Sequence, residues 1–357
     1  MKILTEELSP DRLKPLVDPA ELGFGRYFTD RMLIRRFKDG RWDDPKIVPY
    51  QNFTLDPAAR VLHYSQEIFE GLKAYAGDDG RIFLFRPEEN ARRMNRSAAR
   101  MCMPTMPEED FLACVTSLVV AEKRWIPRAT GTSLYIRPPM IGNEAALGVH
   151  PSDEYLFFII LSPVGAYFKT GFKPVRRYVE DVYVRAVPGG VGDAKTGGNY
   201  AATLLAGALA EEKGFSQVLW LDARERRYVE EVGSMNIFFV FGTKLVTPAL
   251  SGSILPGITR DSVLKLAPRL GYEVEERPIG IDEVIAGIED GHLTEAFGTG
   301  TACVIAPVGG FQYKRRDYTI TGEEVGPVTQ RLYDELVGIQ YGRKPDPFGW
   351  VKEIGRL

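Results

Sequence analysis

A lysine framed by glycines is the most chemically suggestive feature of this chain. Lys195 lies in Gly192-Asp193-Ala194-Lys195-Thr196-Gly197-Gly198-Asn199-Tyr200, ahead of the apolar stretch from Ala201 to Leu209. Glycine leaves the backbone free to curve closely around a bound group. A lysine in such a turn can shed its hydration and act as an amine nucleophile that forms Schiff bases, where most lysines are solvated surface charges. The same segment also imitates a P-loop. Gly189 to Thr196 fits that pattern except at Ala194, where the second glycine belongs. In that reading the run Val218–Asp222 would be a Walker-B-like strand. Ala194 adds a side chain where phosphate needs the bare backbone, and Gly197-Gly198 is a poor start for the phosphate-binding helix. Lysine chemistry is the favoured reading.

Other segments have the makings of an anion site. Pro256-Gly257 directly precedes an amphipathic helix marked by Val263, Leu264, Leu266, Ala267 and Leu270. The first amides of that helix, at Ile258 and Thr259, are donors at the positive end of its dipole and suit a phosphate. Gly298-Thr299-Gly300-Thr301-Ala302 follows a strand, and its amides with the Thr301 hydroxyl can form a small nest. Each segment taken singly also reads as an ordinary turn. Arg93 sits on an arginine-rich helix, where a solvated face is the usual explanation. Glu230 and Glu231 precede the apolar run Ile237–Phe241. An acid there is either a loop charge or the partner of a buried cation.

Several classes of function are excluded by bulk properties. A formal net charge of -3 gives no footprint for nucleic acid, and no basic run suggests a membrane surface. The longest apolar run, Tyr155–Leu161, is strand-sized and ends at Ser162-Pro163. The acidic beginning, Met1 to Leu8, does not read as a signal peptide. Three cysteines, Cys102, Cys114 and Cys303, lack metal-ligand spacing and suit a reducing compartment. His63, His150 and His292 are scattered, so no metal site is expected.

The elements that must position these residues divide into two halves, because 357 residues exceed one ordinary core. The first half is expected to hold strands at Val61–Tyr64, Arg81–Phe85, Ser133–Arg137 and Tyr155–Leu161. Its helices open at Pro87, running to about Met101, and at Pro107, running towards Trp125. Polar, Gly and Pro residues from Lys169 to Pro174 mark a linker. The expected organisation is a small N-terminal α/β domain over 1–169, a linker at 170–175 and a large C-terminal domain over 176–357 carrying Lys195. That second half is expected to place strands at Tyr178–Val184, Gln217–Leu221, Ile237–Phe241, Glu273–Glu276 and Leu293–Phe297. Helices are expected after Tyr200, after Gly257 and over Asp282–Glu289. Such interleaving is not a clean βαβ alternation and predicts a mixed α/β protein.

Taken together, these segments resemble the branched-chain amino acid aminotransferases, which are pyridoxal-phosphate enzymes of fold type IV. The resemblance runs from about Phe24 to about Leu336. Its strongest pieces are Leu62–Tyr75, Ser133–Pro138, Val164–Phe168, Lys195–Tyr200, Glu231–Asn236, Leu255–Arg260 and Gly298–Pro307. It implies two α/β domains with pyridoxal 5′-phosphate at their interface. Lys195 would carry the cofactor and move the proton between Cα and C4′. Glu231 would pair with the pyridine nitrogen, and Tyr200 with the ring's phenolic oxygen. Arg93, the Ile258 and Thr259 amides, and Thr301 would hold the phosphate. Tyr64, Phe69, Tyr135, Arg137 and Tyr167 would form the substrate wall, with Ser234 and the Ala302 amide receiving the carboxylate. Val149 would reach the neighbouring subunit's pocket, which implies a homodimer.

The implied activity is reversible amino transfer between leucine, isoleucine or valine and 2-oxoglutarate, in the cytoplasm. Nearest among alternatives of the same fold are a D-amino-acid aminotransferase and an aminodeoxychorismate lyase. The Tyr135-Ile136-Arg137 and Val164-Gly165-Ala166-Tyr167 segments argue against both. Some family members carry a Cys-x-x-Cys pair near Thr301 to Pro307. Here Cys303 stands opposite Ala306, so that local disulfide cannot form.

Overall fold

A computed structural model describes residues 1–165 and 172–357. The chain divides into two compact units, each with its own sheet. The first comprises Met1–Lys169, Ala194–Gly197 and Gly338–Leu357, and the second Thr170–Asp193 and Gly198–Val337. Lys195 therefore groups with the first unit, along with the C-terminal strand. The boundaries expected from sequence place both with the second.

In the first unit the long strand Tyr155–Val164 organises an eleven-stranded sheet. Its beginning pairs antiparallel with Arg31–Lys38 and with Pro139–Gly142, and its end pairs with Ser133–Arg137. Leu72–Ala76, Arg81–Phe85 and Val351–Arg356 extend the sheet beyond that. Alternate residues point to opposite faces, so Phe157, Ile159 and Leu161 fall on one side together. They pack with Ala91, Met94 and Ala98 of the helix Pro87–Arg100 and with Phe111, Cys114, Val115 and Leu118 of the helix Glu108–Ala121. Each large apolar side chain buried this way contributes roughly 1.5–3 kcal/mol. This core fixes the helix that carries Arg93.

One expected strand is a helix. Arg60–Tyr64 winds because Asp56 accepts from the amides of Ala58 and Ala59, turning the chain just before it. Ser65 then ends the turn in the left-handed region at φ 49°. Arg60 is fully buried and ion-paired to Glu144 at 2.8 Å.

The second unit holds a nine-stranded mixed sheet, with Val304–Tyr313 and Leu293–Gly300 antiparallel at its centre. Val175–Glu180 runs parallel to both Val304–Tyr313 and Val218–Leu221. The mixed α/β expectation holds. That strand stops earlier than expected, because the Glu180 carboxylate accepts from the Val182 and Tyr183 amides and turns the chain. A short helix, Gly197–Ala201, begins at the glycine pair itself. The glycine pair thus starts a helix, against the expectation that it would initiate one poorly. No helix among the described residues is long and apolar enough to cross a membrane, and those residues contain no metal-binding cluster of His, Cys, Asp and Glu.

Candidate active site

In the first unit the lysine segment is pinned by its backbone. Lys195 N–H donates to the Ser97 hydroxyl at 2.9 Å, and its carbonyl accepts from Phe69 N–H at 3.0 Å. The Thr196 hydroxyl donates to the Glu67 carbonyl at 2.7 Å. A Cβ at Gly197 would overlap the Glu67 carboxylate, which explains the glycine there. Burial pushes the Glu67 carboxyl up, opposed by the Gly197 amide and the charge of Arg137.

The lysine amine thus stands 4.9 Å from the centre of the Phe69 ring. The Arg137 guanidinium stacks on the same ring at 4.5 Å and donates to the Tyr135 hydroxyl at 3.1 Å. Tyr135 in turn packs edge-on to Phe24, with ring centres 5.0 Å apart. Gly71 lies directly beneath it: a Cβ there would fall inside the Tyr135 hydroxyl. An amine, an aromatic floor and a planar cation are therefore assembled in one place. Such a set suits a substrate with both an apolar and an anionic end.

Arg93 is not on a solvated face. Its side chain is 4% exposed and is gripped by the fully buried Glu70, through Nε at 2.6 Å and Nη2 at 2.8 Å. Tyr64 is exposed, and its hydroxyl accepts from Gly148 N–H at 2.8 Å. It is thereby tied to the loop that carries Val149, which is 92% exposed. Tyr167 lies outside the described residues.

In the second unit the adjacent acids have different partners. Glu230 and Glu231 alternate along Val229–Val232 and both are buried. Glu231 pairs with Arg185 at 2.9 Å and accepts from the Leu255 amide at 2.8 Å. Asn236 donates to it at 3.5 Å and to the Leu255 carbonyl at 2.9 Å. Glu230 instead accepts from the Ser253 hydroxyl. Burial pushes the Glu230 carboxyl above its ordinary value, against that hydrogen bond and the charge of Arg185. Glu231 is therefore the partner of a buried cation.

Gly257 caps the helix Ile258–Arg269 with no side-chain hydrogen bond, and the Asp261 amide is the one that reaches back to its carbonyl. A Cβ at Gly257 would overlap the Asn236 amide oxygen, so the glycine lets this helix end approach the strand Asn236–Phe241. Ile258 and Thr259 are the helix's first two residues, at its positive end. Gly298 to Gly300 continue the strand Leu293–Gly300 and are not a nest, whereas Thr301 and Ala302 lie in the turn that follows. Between them Thr299 is 2% exposed, and its buried hydroxyl has no partner among the described residues. Tyr200 is half-buried in the helix Gly197–Ala201, and Ser234 is exposed in the turn after Val229–Val232. An orphaned hydroxyl and a helix amino terminus are a donor set fitted to a phosphate ester.

Sequence reasoning missed Glu70 and Arg185, and credited the hydroxyl of Thr301 but not that of Thr299. Glu70 stands in the apolar run Ile68–Leu72 and Arg185 between Val184 and Ala186. A lone charge in an apolar run was the available signal.

The model of the amino-transferase class IV family matches residues 67–310. Branched-chain-amino-acid aminotransferase 2 of Bacillus subtilis (strain 168) is 54% identical over 345 residues, covering 96% of this chain and 95% of that protein. Among solved structures, the Escherichia coli branched-chain amino acid aminotransferase is similar with a TM-score of 0.76 at 26% identity, covering 91% of this chain and 99% of that one. The T.th. branched-chain amino acid aminotransferase with pyridoxamine 5′-phosphate is similar with a TM-score of 0.74 at 28% identity, covering 90% and 98%. With more than half its length matched by the family and nearly all of it aligned to such a relative, this chain belongs to the class IV aminotransferases, in their branched-chain amino acid group.

Proposed function

We propose that the chain moves amino groups reversibly between leucine, isoleucine or valine and 2-oxoglutarate, with pyridoxal 5′-phosphate as its cofactor. The observation that carries this reading is the Lys195 amine over the Phe69 ring, with Arg137 stacked on the same ring. A lysine beside an aromatic surface accommodates an aliphatic side chain, and the arginine meets the distal carboxylate of glutamate. When bound, the cofactor supplies a carbonyl that takes up the amino group and a ring that draws electrons from the substrate's Cα.

The chain's own residues do the rest. Lys195 carries the cofactor and moves the proton between Cα and C4′. Glu231, ion-paired with Arg185, holds the proton on the pyridine nitrogen. Tyr200 donates to the phenolic oxygen. Arg93, the Ile258 and Thr259 amides and Thr301 bind the phosphate. Phe69, Tyr135 and Tyr167 enclose the side chain, and Ser234 with the Ala302 amide receives the α-carboxylate. Tyr64 joins that wall and is hydrogen-bonded to the loop that carries Val149, and we assign Val149 to the pocket of a second copy in a homodimer. The three free cysteines support a cytoplasmic setting, and we assign neither nucleic acid nor membrane as a partner.

A panel of amino donors with 2-oxoglutarate tests the substrate reading, with leucine, isoleucine and valine expected to lead. Borohydride reduction followed by peptide mapping is expected to find the pyridoxyl group on Lys195, and Lys195→Ala to abolish both adduct and turnover. An adduct on another lysine would overturn the assignment.

A further inference from the structure

Glu70 is the most deeply buried acid of the first unit, and the roles given above leave it unused. Its side chain is 0% exposed, yet donors surround both of its oxygens. Oε1 accepts from Arg93 Nε at 2.6 Å. Oε2 accepts from Arg93 Nη2 at 2.8 Å, Asn90 Nδ2 at 2.7 Å and the Gly71 amide at 3.1 Å. Asn90 and Arg93 are three residues apart on the helix Pro87–Arg100, so one helix face presents both to the carboxylate. Asn90 is itself 2% exposed and donates also to the Gly71 carbonyl. The Glu70 backbone is anchored independently, its amide donating to the Pro138 carbonyl at 2.8 Å.

Burial alone would push the Glu70 carboxyl up. The charge and hydrogen bonds of Arg93, the charge of Lys195 and the Asn90 hydrogen bond outweigh it and hold the carboxyl below its ordinary value. The pair is therefore ionised. A buried ion pair contributes little net stability, because desolvation of both charges offsets their attraction. Its geometry is the informative part. The carboxylate takes the side edge of the guanidinium, formed by Nε and Nη2, in a bidentate fork. This fork sets the orientation of the guanidinium plane.

We propose that Glu70 is a positioning residue: held by Asn90 and Gly71, it fixes the plane of Arg93 so that the arginine presents one preset edge to the cofactor's phosphate. The inference rests on the reading of Arg93 as a phosphate partner. Its sign is opposite to that of simple electrostatics. Removing an anion near a dianionic phosphate would by itself tighten phosphate binding, whereas loosening the arginine weakens it.

The test is the contribution of the phosphate to cofactor affinity, taken as the ratio of the Kd for pyridoxal to the Kd for pyridoxal phosphate on the apoenzyme, measured by titration calorimetry. Glu70→Gln is expected to lower this ratio about tenfold, the worth of one charge-assisted contact. Asn90→Ala leaves every charge in place, removes one hydrogen bond from the carboxylate and one from the Gly71 carbonyl, and is expected to lower the ratio about threefold. It keeps the test intact should Glu70→Gln fail to fold. Arg93→Ala is the reference and is expected to collapse the ratio furthest. A ratio that stays or rises in Asn90→Ala and in any folded Glu70→Gln protein, while Arg93→Ala collapses it, overturns the positioning role alone. A ratio unchanged in Arg93→Ala overturns the phosphate reading itself.

Discussion

Glu231→Gln separates what this acid does for the fold from what it does for the reaction. The Glu231 and Arg185 side chains are 4% and 7% exposed, so their 2.9 Å ion pair is almost unscreened by water. Glutamine is nearly isosteric. Its oxygen can keep the hydrogen bond from the Leu255 amide, now 2.8 Å. Its amide nitrogen then faces the guanidinium donor to donor, and a buried cation is left without its anion. Breaking a buried pair in this way costs about 3–5 kcal/mol. Arg185 also donates to the carbonyls of Gly192 and Ser253, so Arg185→Met has a cost of its own that must be subtracted. Urea unfolding of the apoenzyme over the full double-mutant cycle isolates the pair, with an expected coupling of about 2 kcal/mol or more. In the holoenzyme, single-turnover absorbance with leucine is expected to show a strongly slowed proton transfer, because a neutral amide cannot hold the ring nitrogen protonated. Glu230→Gln, whose partner is Ser253, is expected to be mild in the same assay. Coupling within about 0.5 kcal/mol of zero would refute the structural half of this reasoning. A slower reaction in Glu230→Gln than in Glu231→Gln would refute the catalytic half.

Arg137→Met removes the cation stacked on Phe69 and is expected to impair the glutamate half-reaction far more than the leucine half-reaction. Equal losses would mean that Arg137 binds the α-carboxylate or is structural. Gly71→Ala forces a methyl group into the Tyr135 hydroxyl, an overpacking expected to cost about 1–3 kcal/mol and to raise the KM for leucine. Adding Tyr135→Phe removes the closest overlap, leaving the ring carbon at 3.0 Å, and is expected to recover part of the stability; no recovery would show that Gly71 serves another purpose. Glu230 bears on pH. Its folded-state pKa lies above the unfolded one because of burial, so its contribution to stability is full below the unfolded pKa and is lost as pH rises through the raised folded pKa. Glu230→Gln is therefore expected to flatten the fall in urea midpoint between acid and neutral pH, and a slope identical to wild type would contradict the assigned burial.

What could be read in advance follows how locally each feature is encoded. The helix over Pro87–Arg100 announces itself by a first-turn proline and two acids at its amino end, all adjacent in sequence. Lys195 was legible for the same reason, since the glycines that shape its turn flank it directly. Val304–Tyr313 was not legible as a strand, because Pro307, Gly309 and Gly310 break the pattern. The fold explains them: a Cβ at Gly309 would overlap the Gly322 carbonyl, and one at Gly310 the Tyr318 carbonyl. Those glycines answer to backbone that arrives from elsewhere, which no local window contains. The Arg60–Tyr64 helix was lost in a different way, since the turn that winds it is set by Asp56, outside the apolar residues that suggested a strand.

Charges divide along the same line. Family resemblance supplied Arg93 and Glu231 by position, yet neither stands alone. Each is oriented by a residue distant in the chain, Glu70 for the arginine and Arg185 for the glutamate. Both partners are single charges in apolar stretches of sequence, and desolvation makes such a charge untenable without a counterpart. A motif identifies the residue that touches the ligand; the counter-charge decides which way that residue faces. It is fixed by strand register and helix face, and these become visible only when the sheets are assembled.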